Sequence, residues 1–382
     1  MADRPTDHAN LDLTQLHLDV CFGRAGGRVI WQPRVLCWWD DKKFTGTPLP
    51  QPYDKMTYVE MYRHLGCSNR IYEFGACYER VEDRRVKVAE RRLSDLDREV
   101  TWETPAGSQT AVYHSSPNHR STVTAKWPIC NAADMRVATW RAEHATWRWN
   151  QGRYDELLAE WSGLGAPTAY IPRVNVQHLY IDAMGVEAAI FALHDWPAEV
   201  EKYFAALAGL DDRLIDVINA SPVRIINFGD NVHSATLSPE LFVKYVLPVY
   251  QRRCERLHAG GKFVHAHWDG DCKPLLHLAR ETGLDGIEAI TPVPQGDVTL
   301  EETRDALGDE MFLIDGIPAI YFDTTFSAET LIDCTKRIID LFAPKLILGI
   351  SDEISSTGDI ERIRLVGAIV DDYNAGVMSN DQ

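Results

Sequence analysis

The sequence predicts an α/β fold: a (β/α)8 TIM-type barrel carrying a tryptophan-rich β-hairpin extension at its N-terminal end. Three observations lead there. After residue 165, short and near-continuous apolar runs alternate with capped amphipathic helices, the texture of parallel strands buried on both faces. Successive runs are spaced by roughly 25–40 residues, about one strand–helix unit. No GxGxxG or GxxxxGK[ST] follows any of them, which removes the main support for an open nucleotide-binding sheet.

The elements follow in chain order. Arg28–Leu36 is a candidate first strand, and Thr57 to Leu65 reads as a helix closed by Gly66. Eight of the eleven tryptophans precede residue 150, and that half holds the stretch EVTWETPAGSQTAVYHSS. Its Pro105-Ala106-Gly107 supplies a hairpin turn, and STVTAKWPI is a further strand. The later strands are expected at Pro167–Pro172, Val223–Phe228, Lys262–His267, Gly286–Thr291, Met311–Gly316 and Lys345–Ser351. Ser238-Pro239-Glu240 opens a helix as N-cap, N1 proline and acidic first turn. That helix runs to Gly260-Gly261 with a kink at Pro248. Thr299, Ser327 and Asp359 open three more, the last with Ile360, Ile363, Val366 and Val370 on one face. The chain thus reads as one barrel over 1–382, with an extension in 1–160 and the main repeats in 165–380.

Composition bounds the function. The 382 residues are 45% hydrophobic and 25% charged, which excludes disordered and fibrous classes. A net charge of −17 repels phosphate backbones and anionic lipid, so neither nucleic acid nor a membrane surface is an expected partner. An anionic ligand would need a local basic pocket. The eight cysteines are scattered without a CxxC, as for reduced thiols in a cytoplasmic protein. The start, MADRPTDHANLDLTQ, is polar and unlike a signal peptide, and no run of about 18 apolar residues suggests a membrane span.

Barrel chemistry sits at the C-terminal ends of strands. The strand ending at His267 offers His265, His267 and Asp269 in alternation, all toward one face. Asp230 and His233 follow an earlier strand, Glu288 lies on the next, and Asp315 and Asp352 end the last two. Asp230, His265 and Glu288 are the candidate catalytic groups. Arg34, Trp38, His233 and Asp315 are the candidate substrate contacts. The plainer alternatives are that Asp230 and Asp315 cap helices, that His265 is a hydrogen-bonded core histidine, and that Cys272 is buried at a helix–sheet contact. So many carboxylates at one mouth call for a cation, either a metal or arginine. His267, Asp269 and Asp352 make a nitrogen–oxygen ligand set.

The C-terminal half resembles the uroporphyrinogen decarboxylase superfamily, which includes decarboxylases and corrinoid-dependent methyltransferases. The resemblance rests on FGDNVHSATLSPELFVKYVLPVYQRRCERLHAGGKFVHAHWDG, on GLDGIEAITPVPQGDVTLEETRDALGDEMFLIDGI and on KLILGISDEISSTGDIERIRLV. It covers about the last 150 residues, and the first 160 match loosely. The decarboxylases' Arg-Gln-Ala-Gly-Arg-Tyr stretch is missing from VIWQPRVLCWWDDKK. The methyltransferases' His-x-Cys-Gly zinc motif reads His267-Trp268-Asp269-Gly270 here, and Asp352 stands where they place a second cysteine.

The resemblance therefore implies a small-molecule methyltransferase. Zinc or another divalent metal would be held by His267, Asp269 and Asp352, with Glu288 as a fourth ligand. The metal would act as a Lewis acid on a methoxy or methylamino group. The methyl group would pass to or from cobalamin on a separate corrinoid protein, and a homodimer is in keeping with the family. The alternatives are a metal-free decarboxylase or lyase using Asp230, Asp269 and His267, and a binding protein on an enzyme scaffold.

Overall fold

A computed structural model describes residues 12–117 and 121–380, so most of the polar N-terminal stretch read above lies outside the described residues. In chain order the strands are β1 (Ile30–Trp31), β2 (Tyr78–Val81), β3 (Lys87–Arg92), β4 (Asp97–Thr104), β5 (Gly107–Ser115), β6 (Thr122–Lys126) and β7 (Thr146–Trp149). They continue with β8 (Thr168–Ile171), β9 (Ile225–Val232), β10 (Phe263–Trp268), β11 (Gly286–Glu288), β12 (Phe312–Pro318) and β13 (Leu346–Ser351).

A seven-stranded sheet runs β1-β13-β12-β11-β10-β9-β8. Every pairing in it is parallel, and the sheet curls into a half-barrel flanked by helices. Segment 67–71 spans the gap between its edges. Ser68 N–H donates to Trp31 O at 3.0 Å, Asn69 N–H donates to Leu164 O at 2.8 Å, and Ile71 bridges Pro167. β10, β12 and β13 are buried along their whole length, which is why they read as near-continuous apolar runs broken by His265, His267 and Asp315.

Helix Leu13–Cys21, which carries no strong sequence signal, plugs the N-terminal end of the sheet. Its Leu13, Leu16, Val20 and Cys21 pack on Ile30, Ile225, Phe263, Phe312 and Ile347 from the strand starts. Each fully buried side chain of this size contributes roughly 1.5–3 kcal/mol.

Local signals set the helix boundaries. Thr57 and Glu60 form a capping box on helix Tyr58–Leu65, and Gly66 ends it at φ +69. Thr299 and Glu302 do the same for Leu300–Leu307, and Ser327 caps Ala328–Phe342. The helix expected from Ser238 to Gly260 is broken in two. After Pro239–Leu241 the chain widens over Phe242–Val246, where Leu247 N–H reaches back five residues to Phe242 O, before helix Leu247–Ala259 begins. Pro248 has no N–H and its ring crowds the carbonyl four residues earlier, so the regular ladder cannot pass through it.

Three strands end differently from expectation. Of the expected Arg28–Leu36 only Ile30–Trp31 is strand, and Leu36 already opens helix Leu36–Thr45. β11 stops at Glu288 because Ala289 turns to φ +68. β9 continues through Gly229-Asp230-Asn231 to Val232, with a shift of register against β10 between Ala266 and Trp268.

In the first half, β3-β4-β5-β6 form an antiparallel sheet, with Thr104 opposite Gly107 at the β4–β5 turn. β2 pairs with β7. The cysteines form no disulfide, and Cys272 is fully buried. Among the described residues, no helix is long and apolar enough to cross a membrane.

Candidate functional site

Glu288, at the C-terminal end of β11, is fully buried and gathers the mouth around itself. Its Oε1 accepts from Tyr72 OH at 2.6 Å and lies 3.1 Å from Arg70 Nη1, 3.5 Å from Arg34 Nη1 and 3.5 Å from His267 Nδ1. Its Oε2 accepts from Asn227 Nδ2 and lies 3.3 Å from His265 Nδ1. Burial would push this carboxyl up, but Arg70 and the two histidines hold it well below the usual range. It is an anion sunk in a shell of cations and donors.

The parallel register explains how distant residues meet. β10 pairs with β11 so that His265 stands beside Gly286 and His267 beside Glu288. β10 and β9 place His265 beside Asn227. Asn227 Nδ2 lies 2.9 Å from His265 Nδ1, the same nitrogen that faces Glu288 Oε2. Burial lowers the His265 pKa, and Glu288 opposes that shift.

His267 differs. Burial alone would lower its pKa, yet the carboxylates of Asp269 and Glu288 beside it raise it to about 10. Asp269 Oδ2 lies 3.6 Å from His267 Nε2. Nδ1 lies 3.5 Å from Glu288 Oε1 without a regular hydrogen bond, and the two flanking carboxylates favour the charged ring. Asp269 is shifted down despite its burial, by His267 and by His233.

A second carboxylate lies beneath. Arg70, itself buried, clamps Asp315 with both guanidinium nitrogens and reaches Gln32 O at 3.3 Å. Burial and the nearby Glu288 raise the Asp315 carboxyl to about 7, against Arg70. Gly349 on β13 makes room for this pair, because a Cβ there would sit 2.0 Å from Asp315 Oδ1. Gly229 does the same for Tyr170, whose ring would lie 1.7 Å from an added Cβ.

At the outer edge, Arg34 pairs with Asp352 and donates to Glu353 Oε1 at 3.0 Å, while Glu353 Oε2 accepts from Cys37 N–H at 2.7 Å. Arg34, Tyr58, Tyr72, Tyr170 and Glu353 border a cavity of about 410 Å³ at the strand C-termini.

The structure thus brings together His265, His267, Asp269, Glu288, Asp315, Arg34 and Asp352. It sends three other expected residues elsewhere. Asp230 accepts from Val174 N–H at 2.8 Å and from Tyr250 OH at 2.7 Å, so it ties β9 to its neighbours instead of facing substrate. Trp38 is a core residue whose Nε1 donates to Gly358 O at 3.1 Å, with Tyr53 against its edge. His233 lies 3.3 Å from Thr236 Oγ1 and reaches the site only through its field on Asp269.

The residues do not fit the expected metal. Asp352 is taken by Arg34, and Glu288 by Arg70, Tyr72 and Asn227. Among the described residues, no group of three or more His, Cys, Asp or Glu is placed to hold a metal ion. The cation that the carboxylates require is arginine.

Arg70 and Tyr72 escaped the sequence reading, as did Asn227 and Tyr170. A signal existed for the first two. Cys67–Tyr72 follows a glycine-capped helix, where a strand is due, and a strand there puts Arg70 at the mouth.

No family model and no curated protein matches the chain. Among solved structures, it is similar to a methyltransferase from Methanosarcina mazei, with 11% identity and a TM-score of 0.58. That alignment covers 95% of this chain and 99% of the other. At this identity the likeness establishes a shared fold. A D-psicose 3-epimerase from Clostridium cellulolyticum H10 aligns with a TM-score of 0.34 and 10% identity, covering 60% of this chain and 84% of its own.

Proposed function

We propose that this chain is an enzyme that transfers a methyl group from a small O- or N-methyl compound bound at the mouth of the sheet. The observation that carries the reading is the charged cluster of His267, Asp269 and Glu288, whose partners Tyr72, Arg70 and Arg34 border a cavity of small-molecule size. A heteroatom that loses its methyl carbon gains electron density and needs a proton. His267 donates that proton, Asp269 and Glu288 fix its ring, and Tyr72 with Arg70 holds Glu288 in its charged form. This replaces the metal-assisted form of the reaction, for which the ligands are otherwise engaged.

The likeness to the Methanosarcina mazei methyltransferase supports the reading at the level of fold. We take the architecture to be an eight-stranded barrel with segment 67–71 as the remaining strand, supported by its hydrogen bonds to both sheet edges. We take the methyl carrier to be a corrinoid on a separate protein, whose cobalt centre supplies the site that accepts or returns the methyl group. A cavity of about 410 Å³ holds the small substrate and leaves so large a group to approach from outside.

One observation favours a second reading. Arg34 and Arg70 border the same cavity, where a guanidinium pairs well with a carboxylate. In a decarboxylase or lyase, His267 would protonate the carbon left behind.

The test is incubation with methoxy and methylamino compounds and reduced cobalamin, following demethylation by NMR. Demethylation that is lost in His267→Gln supports the first reading. Release of carbon dioxide from carboxylated compounds, with no demethylation, replaces it with the second.

A further inference from the structure

A second polar cavity lies away from the mouth, where the antiparallel sheet meets the helices that flank the curled sheet. Its volume is about 150 Å³, and its walls include Arg80, Trp102, Gln109, Tyr113, Arg141 and Tyr203. They come from β2, β4 and β5 and from helices Ala132–His144 and Pro197–Ala220.

The charges there do not balance. Arg80 Nε lies 3.4 Å from Glu82 Oε1, and Arg141 Nη2 lies 2.7 Å from the same oxygen. Two guanidinium groups therefore share one carboxylate oxygen. Asp182, an acid on the cavity wall, is already paired with Arg173 at 2.9 Å and with His178 at 3.1 Å. His178 Nε2 is in turn 2.9 Å from Tyr203 OH. One positive charge is left over, in a chain whose net charge is −17.

Hydrogen bonding is also incomplete. Arg141 donates to Gln109 Oε1 at 2.7 Å and lies 4.3 Å over the Trp102 ring, which fixes its plane. Its Nε is buried and has no partner, and neither has Glu82 Oε2. Burial depresses the Arg80 pKa, and Arg141 and Arg213 add to that shift against Glu82. A buried donor without a partner costs about 1–3 kcal/mol, so a site that leaves one open suits a ligand that fills it.

We propose that this cavity binds a small oxyanion, of phosphate or phosphate-monoester type, between Arg80 and Arg141. Two guanidinium groups match the oxygens of such a group, and charge-assisted bonds to it are the strong kind. The volume admits a phosphate with a few further atoms. Because its walls come from both sheets' surroundings, the bound ion fastens the antiparallel sheet to the helices beneath it. The site is independent of the chemistry assigned to the mouth.

The experiment is calorimetric titration of the full chain with inorganic phosphate, beside thermal unfolding in phosphate and in chloride at matched ionic strength. Saturable heat is expected, with a rise in Tm that chloride does not give. Arg80→Gln should weaken phosphate binding at least about fivefold, with Tm without phosphate as the control for folding. Glu82→Gln should strengthen it, since the shared carboxylate then no longer competes for the two arginines. An equal response to chloride, no saturable heat, or unchanged affinity in both variants would overturn the proposal.

Discussion

Arg34 is ion-paired with Asp352, joining the loop after β1 to the end of β13 at the place where those neighbouring strands open into the mouth. The pair puts a guanidinium where a metal was expected. It also leaves His267 and Asp269 without a third ligand of their own.

Metal removal tests this directly. Exhaustive dialysis against a chelator should leave Tm unchanged, and elemental analysis should find far less than one divalent ion per chain. A stoichiometric metal lost together with Asp352→Ala would restore the ligand set.

Arg70 is the most consequential single side chain of the mouth. It neutralises Glu288 and Asp315, both fully buried. Arg70→Ala should cost about 3–5 kcal/mol in chemical denaturation, because two carboxylates lose their counter-charge inside the protein. The double variant Arg70→Ala/Asp315→Asn should recover part of that loss, since one of the orphaned charges is then gone.

The pH dependence of stability follows from His267. Its folded pKa of about 10 lies above the ordinary 6.5, so the folded state holds this proton more tightly than the unfolded chain. The stabilisation is complete below about pH 6.5 and is lost as pH rises through about 10. Thermal unfolding of wild type and His267→Gln should therefore differ most below about pH 6.5 and converge above about pH 10. Parallel profiles would remove the imidazolium assignment.

Gly349→Ala should destabilise the fold by about 3 kcal/mol, at the upper end of overpacking costs. The added methyl meets Asp315 Oδ1 at 2.0 Å, Arg70 Nη2 at 2.9 Å and the Gln32 carbonyl at 3.0 Å. Only the side chains can move aside, so the Arg70–Asp315 pair is expected to open. Denaturant midpoints for Gly349→Ala and for Gly376→Ala, where nothing lies within 4 Å of an added Cβ, give the comparison.

By itself the sequence determined the parts of this protein governed by short-range physics. The buried strands β10, β12 and β13 are visible as apolar runs, because both of their faces are covered. The boundaries at Thr57, Thr299 and Ser327 are visible because capping involves residues within one turn. The clustering of carboxylates at strand ends is visible too, since a strand fixes which way its last residues point.

Tertiary structure alone decided what neutralises them. Arg70 meets Asp315 across 245 positions of sequence, and Arg34 meets Asp352 across 318. Nothing local distinguishes either arginine from one at the surface. The fate of Asp230 was settled the same way, by a β9 that runs on to Val232 and hands it to Val174 and Tyr250. Side-chain charge is written in the sequence, but a charge's partner is chosen by the fold, which brings segments far apart in the chain to one mouth.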